Sequence, residues 1–565
     1  MKFNEIPYKR PDMEALKKEF HQKLDDFSNS NSADEQKQLI IELNDLRKSY
    51  HTARMLAHIR FTQDTTNEKY QEEHQFFNDN HPAFEGLENE MQKTILNSRF
   101  RQELENYYGQ HLFNVYEKHV TTHSSDIEED LKKENNLTNE YTRLMASAKV
   151  PFRGETYNFT ALGKFMYSSD RKTREEAYRA RYGYLEENRN QLEEIYDQLV
   201  KTRHNIARKL GYENFIQLAY NRLQRTDYGP KEVAKFREAV EKKMVPLATK
   251  LRKKQARWLG LDSLKYYDEP LKFPGGNPTP KGNQKWILEN AQNMYGELSP
   301  ETEEFFNFML DGEFMDLENR KGKAGGGYCT FIPDYKAPFI FANFNGTEND
   351  IRVLTHEIGH AFQFYLSMDQ PITDYMVPTF DAAEIHSMSM EFLTLPWMEN
   401  FFKEDEEKFY YTQLSSRIFQ FPYRVAVDEF QHYVYENPYA SPEMRNKKWK
   451  DIEEKYLPHR DYDKEPYTEC GAIWQTQRHI FNSPFYYIDY ALADICAMQF
   501  WVRSRENFSQ ALDDYMTLCK KGGSAPFTEL VQQSNLTSPF REDALEKVSS
   551  EIEMWMKNLD EKKVI

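Results

Sequence analysis

The sequence predicts a mainly α protein with one small β element. Three observations carry that reading. Apolar and charged residues alternate at three- and four-residue spacing over most of the 565 residues, the periodicity of helices that bury one face. Only 322–346 departs from it, with a triple glycine followed by short β-prone runs. No long-period repeat occurs, and no stretch approaches the ~18 apolar residues of a membrane-spanning helix.

Residues 12 to about 145 read as long amphipathic helices, among them Met13 to Phe27 and Asp34 to Arg60. The segment 147–160, with Pro151 and Gly154, breaks the pattern and divides an N-terminal helical region, 1–150, from a second region, 151–565. Helical periodicity resumes near Leu162 and runs to about Leu259. The Pro- and Gly-rich stretch 269–283 reads as a surface loop, and helices return from Trp286 to about Met315. Within 322–346, Pro338–Phe344 has the composition of a strand. Beyond it the chain is helical almost to its end.

Composition narrows the class. With 39% hydrophobic and 15% aromatic residues the chain is a globular type, and its 36 Tyr and 39 Phe predict an aromatic-rich core. The net charge of −17 opposes nucleic acid and anionic membrane partners. Cys329, Cys470, Cys496 and Cys519 form no C-x-x-C pair, a usage suited to a reducing cytoplasm. The start, MKFNEIPYKRP, has no apolar run, so no secretory signal is expected. No phosphate-binding G-x-x-x-x-G-K-[ST] occurs, and no ATP requirement is expected.

The chemistry concentrates in Thr355-His356-Glu357-Ile358-Gly359-His360, an H-E-x-x-H. On a helix the two imidazoles share a face within ~6 Å and can grip one zinc ion at ~2.0–2.1 Å. Glu357 projects beside the metal, where it can deprotonate a water. Apart from Glu357, no charge falls between the histidines or just after them, as a buried metal helix requires. Thr347-Glu348-Asn349-Asp350 resembles a capping box at its start. Catalytic zinc takes a third protein ligand and keeps one position open. A second helix, beginning near Asp381, offers Glu384 and His386, with Asp374 and Asp381 as outside candidates. Glu391 follows Glu384 by two helical turns and can hydrogen-bond a ligand histidine from behind.

Several segments together resemble the thimet oligopeptidase and oligoendopeptidase F family of zinc peptidases, most strongly its compact bacterial members. They are Pro338–Asn343 with Gly346, His356–Ala361, Ala383–Leu393 and His479–Ala493, with a fainter echo at Ala207–Phe215. The resemblance covers about residue 150 to the C-terminus. It implies a two-lobed helical zincin-type peptidase with a deep substrate channel. It also implies one zinc per chain, with Glu384 as third ligand and Glu391 as the second glutamate of the pattern. His479 and Tyr490 match the family's transition-state donors, and Tyr487 a second tyrosine on the same face. The family's tyrosine between the histidine and that pair has no clear counterpart, since Ser483-Pro484 occupies the stretch; Tyr486 is the candidate beside it.

The activity these features imply is endoproteolysis of short unstructured oligopeptides in the cytoplasm, by a monomer or small homo-oligomer. The strand at 338–344, with Phe341 and Asn343, is expected to pair with the extended substrate backbone. A competing enzyme reading is a carboxypeptidase or dipeptidyl carboxypeptidase on the same scaffold. It would need a closed channel end carrying an Arg or Lys for the substrate carboxylate. A non-enzymatic reading, a peptide-binding protein with a structural zinc, leaves Glu357 without a purpose.

Overall fold

The computed structural model describes residues 1–565, the side chain of Ser125 excepted. Helices dominate, from Met13–Asn29 and Ala33–Gln63 near the N-terminus to Glu542–Lys557 near the C-terminus. Side-chain caps start many of them. Asp12, Ser32, Asn67 and Asn158 each accept a first-turn N–H, which satisfies one of the donors a helix start leaves open. No helix among the described residues is long and apolar enough to cross a membrane.

Two hydrophobic cores form. The N-terminal helices pack a core of their own from Phe20 to Tyr116, joined by Ile372 and Tyr375. The main core takes in Ile127, Leu137 and Tyr141, so helix Glu128–Ala146 packs with the larger body. The segment 147–160 is a small hairpin of β1 (Val150–Phe152) and β2 (Glu155–Tyr157), turned by Arg153 and Gly154 at positive φ.

The second sheet has β3 (Met315–Glu318), β4 (Tyr328–Ile332) and β5 (Ala337–Phe344) in the order β3-β5-β4. β3 runs parallel to β5, and β4 antiparallel to it. This corrects the expectation that the strand at 338–344 receives the substrate. β5 lies in the middle, paired with β4 along Ala337–Phe341 and with β3 along Ile340–Phe344. Phe341 is buried, and the Asn343 amide donates to the carbonyls of Ala324 and Gly326 at 2.9 and 2.8 Å. Asn343 thus holds the triple-glycine turn, and the free edge of the sheet belongs to β4.

β5 leads directly into the helix that carries the H-E-x-x-H, here the motif helix (Glu348–Ser367). The turn between them uses Gly346 at φ +84°, a conformation that suits glycine. Thr347 makes no side-chain cap. The Asp350 carboxylate instead accepts the N–H groups of Asn345 and Gly346 at 2.7–3.1 Å, fixing the entry of the helix.

The motif helix crosses the carboxylate helix (Phe380–Leu393), which is buried on nearly every side. Their approach is set at Gly359. A Cβ there would stand 2.6 Å from the His386 carbonyl oxygen and 2.6 Å from the Ser387 Cα. Alanine improves helix propensity by about 1 kcal/mol over glycine, while overpacking a core costs about 1–3 kcal/mol. Backbone atoms in direct collision place this site at the upper end of that cost. Gly359→Ala should therefore lower the thermal midpoint and weaken zinc retention against a chelator. A raised midpoint would show that the two helices are not in contact here.

Candidate metal centre

Glu384 sits one turn into the carboxylate helix and points at the two imidazoles. Its Oε2 lies 3.5 Å from His356 Nε2 and 3.7 Å from His360 Nε2. Tetrahedral ligands ~2.1 Å from a zinc ion stand about 3.4 Å apart, so this spacing fits one ion. The three donor atoms are the group, among the described residues, that can close on a metal, all within 4.8 Å of one another. Ser387 Oγ donates to Glu384 Oε2 at 3.1 Å and Tyr486 Oη to Oε1 at 3.0 Å, so the carboxylate is held from two sides. The histidine side chains keep 24% and 19% of their surface, which leaves a side open to a water or a substrate.

The other candidates for third ligand are engaged elsewhere. His386 is fully buried, its Nδ1 3.3 Å from the Ala383 carbonyl, and burial pushes its pKa down to about 4. Asp374 pairs with Arg47 at 2.6 Å, and Asp381 accepts from Tyr228 at 2.7 Å.

Glu391 reaches the same cluster from two turns further along. Its Oε1 accepts from His356 Nδ1 at 2.8 Å. That bond leaves Nε2 of His356 as the nitrogen facing Glu384, the tautomer a metal ligand needs. Glu391 Oε2 is held by Gln413 at 2.6 Å and by the Arg417 guanidinium. Arg417 also pairs with Asp494 at 3.1 Å, and Asp494 with Arg424. Arg424 donates to the Tyr490 carbonyl at 2.9 Å. A buried chain of alternating charges thus runs from His356 to the backbone of Tyr490.

The protein's own charges invite a cation. Burial acts to lower the His356 pKa, but Glu391, with Glu384 and Glu357, outweighs it and carries the ring up to about 9. His360, buried and beside His356, is pushed well below its ordinary value. Glu357 rises to about 7, chiefly through burial and further through Glu384 and Glu391, against an opposite pull from His356. A divalent ion placed among three carboxylates relieves that crowding. Two neutralisable imidazoles, an anchored carboxylate and a fixed tautomer make the donor set fit zinc.

A second cluster adjoins the first through Tyr486. His479 has its ring centre 5.8 Å from Tyr486, 4.9 Å from Tyr487 and 5.8 Å from Tyr490. Tyr486 and Tyr490 are 5.1 Å apart. Burial, then the charge of Arg478, pushes the His479 pKa down to about 4, so the ring is neutral at pH 7. Gln477 Nε2 lies 2.7 Å from His479 Nδ1, leaving Nε2–H to donate. The Tyr490 phenol is pushed up to about 12, first by burial and then by Glu384, and keeps its proton. Cys329 lies on β4 beside Glu357; burial, then Glu357, raises its thiol well above the usual range and keeps it unreactive.

The supporting polar residues escaped sequence reasoning. A signal existed: Gln413, Arg417, Gln420 and Arg424 fall at i, i+4, i+7 and i+11 of one long helix, Glu406–Glu436, in a stretch otherwise rich in buried apolar residues. A polar stripe inside an otherwise buried helix marks a buried partner, but not which one.

An H-E-x-x-H helix crossed at close range by a glutamate helix, on a mainly helical scaffold, is the site of a metallopeptidase. The model of peptidase family M3 matches residues 164–271 and 302–550, and that of the M3 N-terminal domain matches 3–123. The chain belongs to peptidase family M3. Curated relatives include an oligoendopeptidase F homolog of Borreliella burgdorferi, 24% identical over 69% of this chain and 65% of its own length. Oligopeptidase PepF of Bacillus subtilis is 23% identical over 70% of this chain and 58% of its own. The chain thus spans roughly three fifths of these relatives. Among solved structures, PZ peptidase A is 52% identical with a TM-score of 0.93, over 99% of this chain and 100% of that one. A Bacillus anthracis chain assigned as an oligoendopeptidase F is 49% identical with a TM-score of 0.89, over 100% and 99%.

Removing the charge of Glu391 leaves the ligands in place but loosens His356. Glu391→Gln should weaken zinc affinity about 10- to 100-fold, read by competition with a chromogenic chelator. Unchanged affinity would reduce Glu391 to a packing role.

Proposed function

We propose that the chain is a zinc endopeptidase that hydrolyses short, unstructured oligopeptides. The observation that carries this reading is the convergence of Glu384 on the two imidazole Nε2 atoms at 3.5 and 3.7 Å, with Glu357 buried beside them. His356, His360 and Glu384 would hold one zinc ion. Zinc bound there supplies Lewis acidity, lowering the pKa of water toward ~7.

The chain's own residues do the rest. Glu357 accepts a proton from the attacking water and returns it to the leaving amine. A carboxyl raised toward neutrality by burial suits both steps, although a bound cation pulls its pKa back down. Tyr490 Oη, protonated, donates to the carbonyl oxygen as negative charge grows on it, and the Nε2–H of His479 is a second donor. Tyr486 holds Glu384, and Tyr487 packs behind Tyr490. The free edge of β4, over Tyr328–Ile332, takes the substrate main chain. Reading the backbone rather than side chains permits broad sequence preference. No acyl-enzyme is needed, and no cysteine takes part. The four cysteines are unpaired, in keeping with a reducing cytoplasm.

The test uses a peptide of about ten residues blocked at both ends. The enzyme should cut it internally with added zinc, as read by product masses. Glu357→Gln should bind zinc as the parent does and lose nearly all turnover. Cleavage confined to unblocked C-termini would favour the carboxypeptidase reading. Tyr490→Phe should lower kcat by roughly 10²-fold with KM little changed. A change confined to KM would move Tyr490 from the transition state to substrate binding.

A further inference from the structure

β4 divides two environments. Side chains alternate across a strand, so Cys329 and Phe331 face one way while Tyr328 and Thr330 face the other. Cys329 lies beside Glu357, and Phe331 stacks on Phe364 of the motif helix at 5.5 Å. On the opposite face Tyr328 Oη meets Thr62 Oγ1 at 2.7 Å, and Thr330 Oγ1 meets Met55 Sδ at 3.1 Å. That face belongs to the N-terminal helices Ala33–Gln63 and Glu68–Leu96.

A cavity of about 270 Å³ opens there, against Tyr328, Cys329 and Thr330, with Arg54, His58 and His74 in its wall. Its lining includes Met55, Phe77 and Asn78 but no carboxylate. The neighbouring arginines of the same helix are engaged, Arg47 by Glu88 and Asp374 and Arg60 by the Ile6 carbonyl. Arg54 makes no hydrogen bond or ion pair among the described residues. In another cavity, of about 850 Å³, two of the arginines are paired, Arg460 with Glu453 at 3.3 Å and Arg252 with Glu269 at 3.1 Å.

The histidines add donors rather than charge. Burial, then His74 and Arg54, pushes the His58 pKa down to about 4, and burial with Arg54 lowers His74 as well. The Asn78 amide lies 3.3 Å from His74 Nδ1, which leaves the proton of the neutral ring on Nε2. At neutral pH the cavity holds one cation, Arg54, flanked by imidazoles and backed by aromatic rings.

We propose that this cavity is a substrate subsite in which Arg54 takes a peptide carboxylate, either the C-terminus or an Asp or Glu side chain. The proposal rests on the peptidase reading and on substrate pairing along β4. A peptide added to that edge directs alternate side chains to the two faces, some toward the metal-ligand cluster and the others toward Arg54. A planar guanidinium matches a carboxylate in a bidentate pair. An amide of the same shape forfeits the charge.

The experiment pairs peptides that differ only in charge. One arm places Asp or Asn in turn at each of the four positions on either side of the cut bond. A second arm compares a C-terminal acid with its amide. The acid should exceed its neutral partner in kcat/KM by on the order of tenfold, through KM, at the position that reaches the cavity. The arm that shows the preference identifies the source of the carboxylate. Arg54→Gln should bring the acid-to-neutral ratio to about one, and Arg54→Lys should retain part of it. Calorimetric binding of the same pairs to the Glu357→Gln enzyme should show the same ratio without turnover. Equal values for acid and neutral peptides across both arms, or a ratio unmoved by Arg54→Gln, would overturn the subsite alone. Peptides that bind in the expected ratio but are never cut would overturn the peptidase reading and leave the subsite standing.

Discussion

The site depends on how closely two helices can approach. Gly359 lets the motif helix rest on the backbone of His386 and Ser387, with no room for a methyl group between them. At that separation a carboxylate from one helix comes within 3.5–3.7 Å of two imidazoles from the other. A thicker contact would hold the same residues too far apart to share an ion. The glycine of the motif is therefore as much part of the metal geometry as the histidines around it.

Behind that contact stands a buried network of charges: Glu391, Arg417, Asp494 and Arg424, each in contact with the next. Ion pairs of this kind add little net stability, because desolvation offsets much of the attraction. They do fix orientation. The network holds the His356 ring by its Nδ1 at one end and the backbone of Tyr490 at the other, on helices far apart in sequence. The proposed ligand and the proposed transition-state donor are thereby referred to the same rigid body.

The small sheet serves as a partition. Its central strand, β5, is consumed by pairing on both sides and by delivering the chain into the motif helix. Its outer strand, β4, keeps an unpaired edge between the metal-ligand cluster and the N-terminal helices. Phe341 is paired on both sides and Asn343 holds the triple-glycine turn, so neither sits on the free edge where a strand could be added. Strand propensity shows which residues extend, but not which extended segment lies at the edge, since that is set by the neighbours a strand acquires in three dimensions. The N-terminal helices, in which sequence reading found no diagnostic motif, supply Arg54 to the wall of the cavity against β4.

Local chemistry sufficed for much of the rest. A helix has a known rise and turn, so His356, Glu357 and His360 could be placed on one face from spacing alone, and the helical class followed from periodicity. Glu384 and Glu391 share a face for the same reason. Whether Glu384 or His386 turns toward the histidines was not a local matter, because helix spacing orders residues around an axis without saying which side another helix will occupy. Packing decided it, burying His386 on the far side. The same limit hid Arg417, Arg424 and Asp494, whose partners are separated by tens of residues, and gave Tyr486 its bond to Glu384. Short-range geometry was written in the order of the residues; contacts between distant segments arose only when the chain closed around its cores.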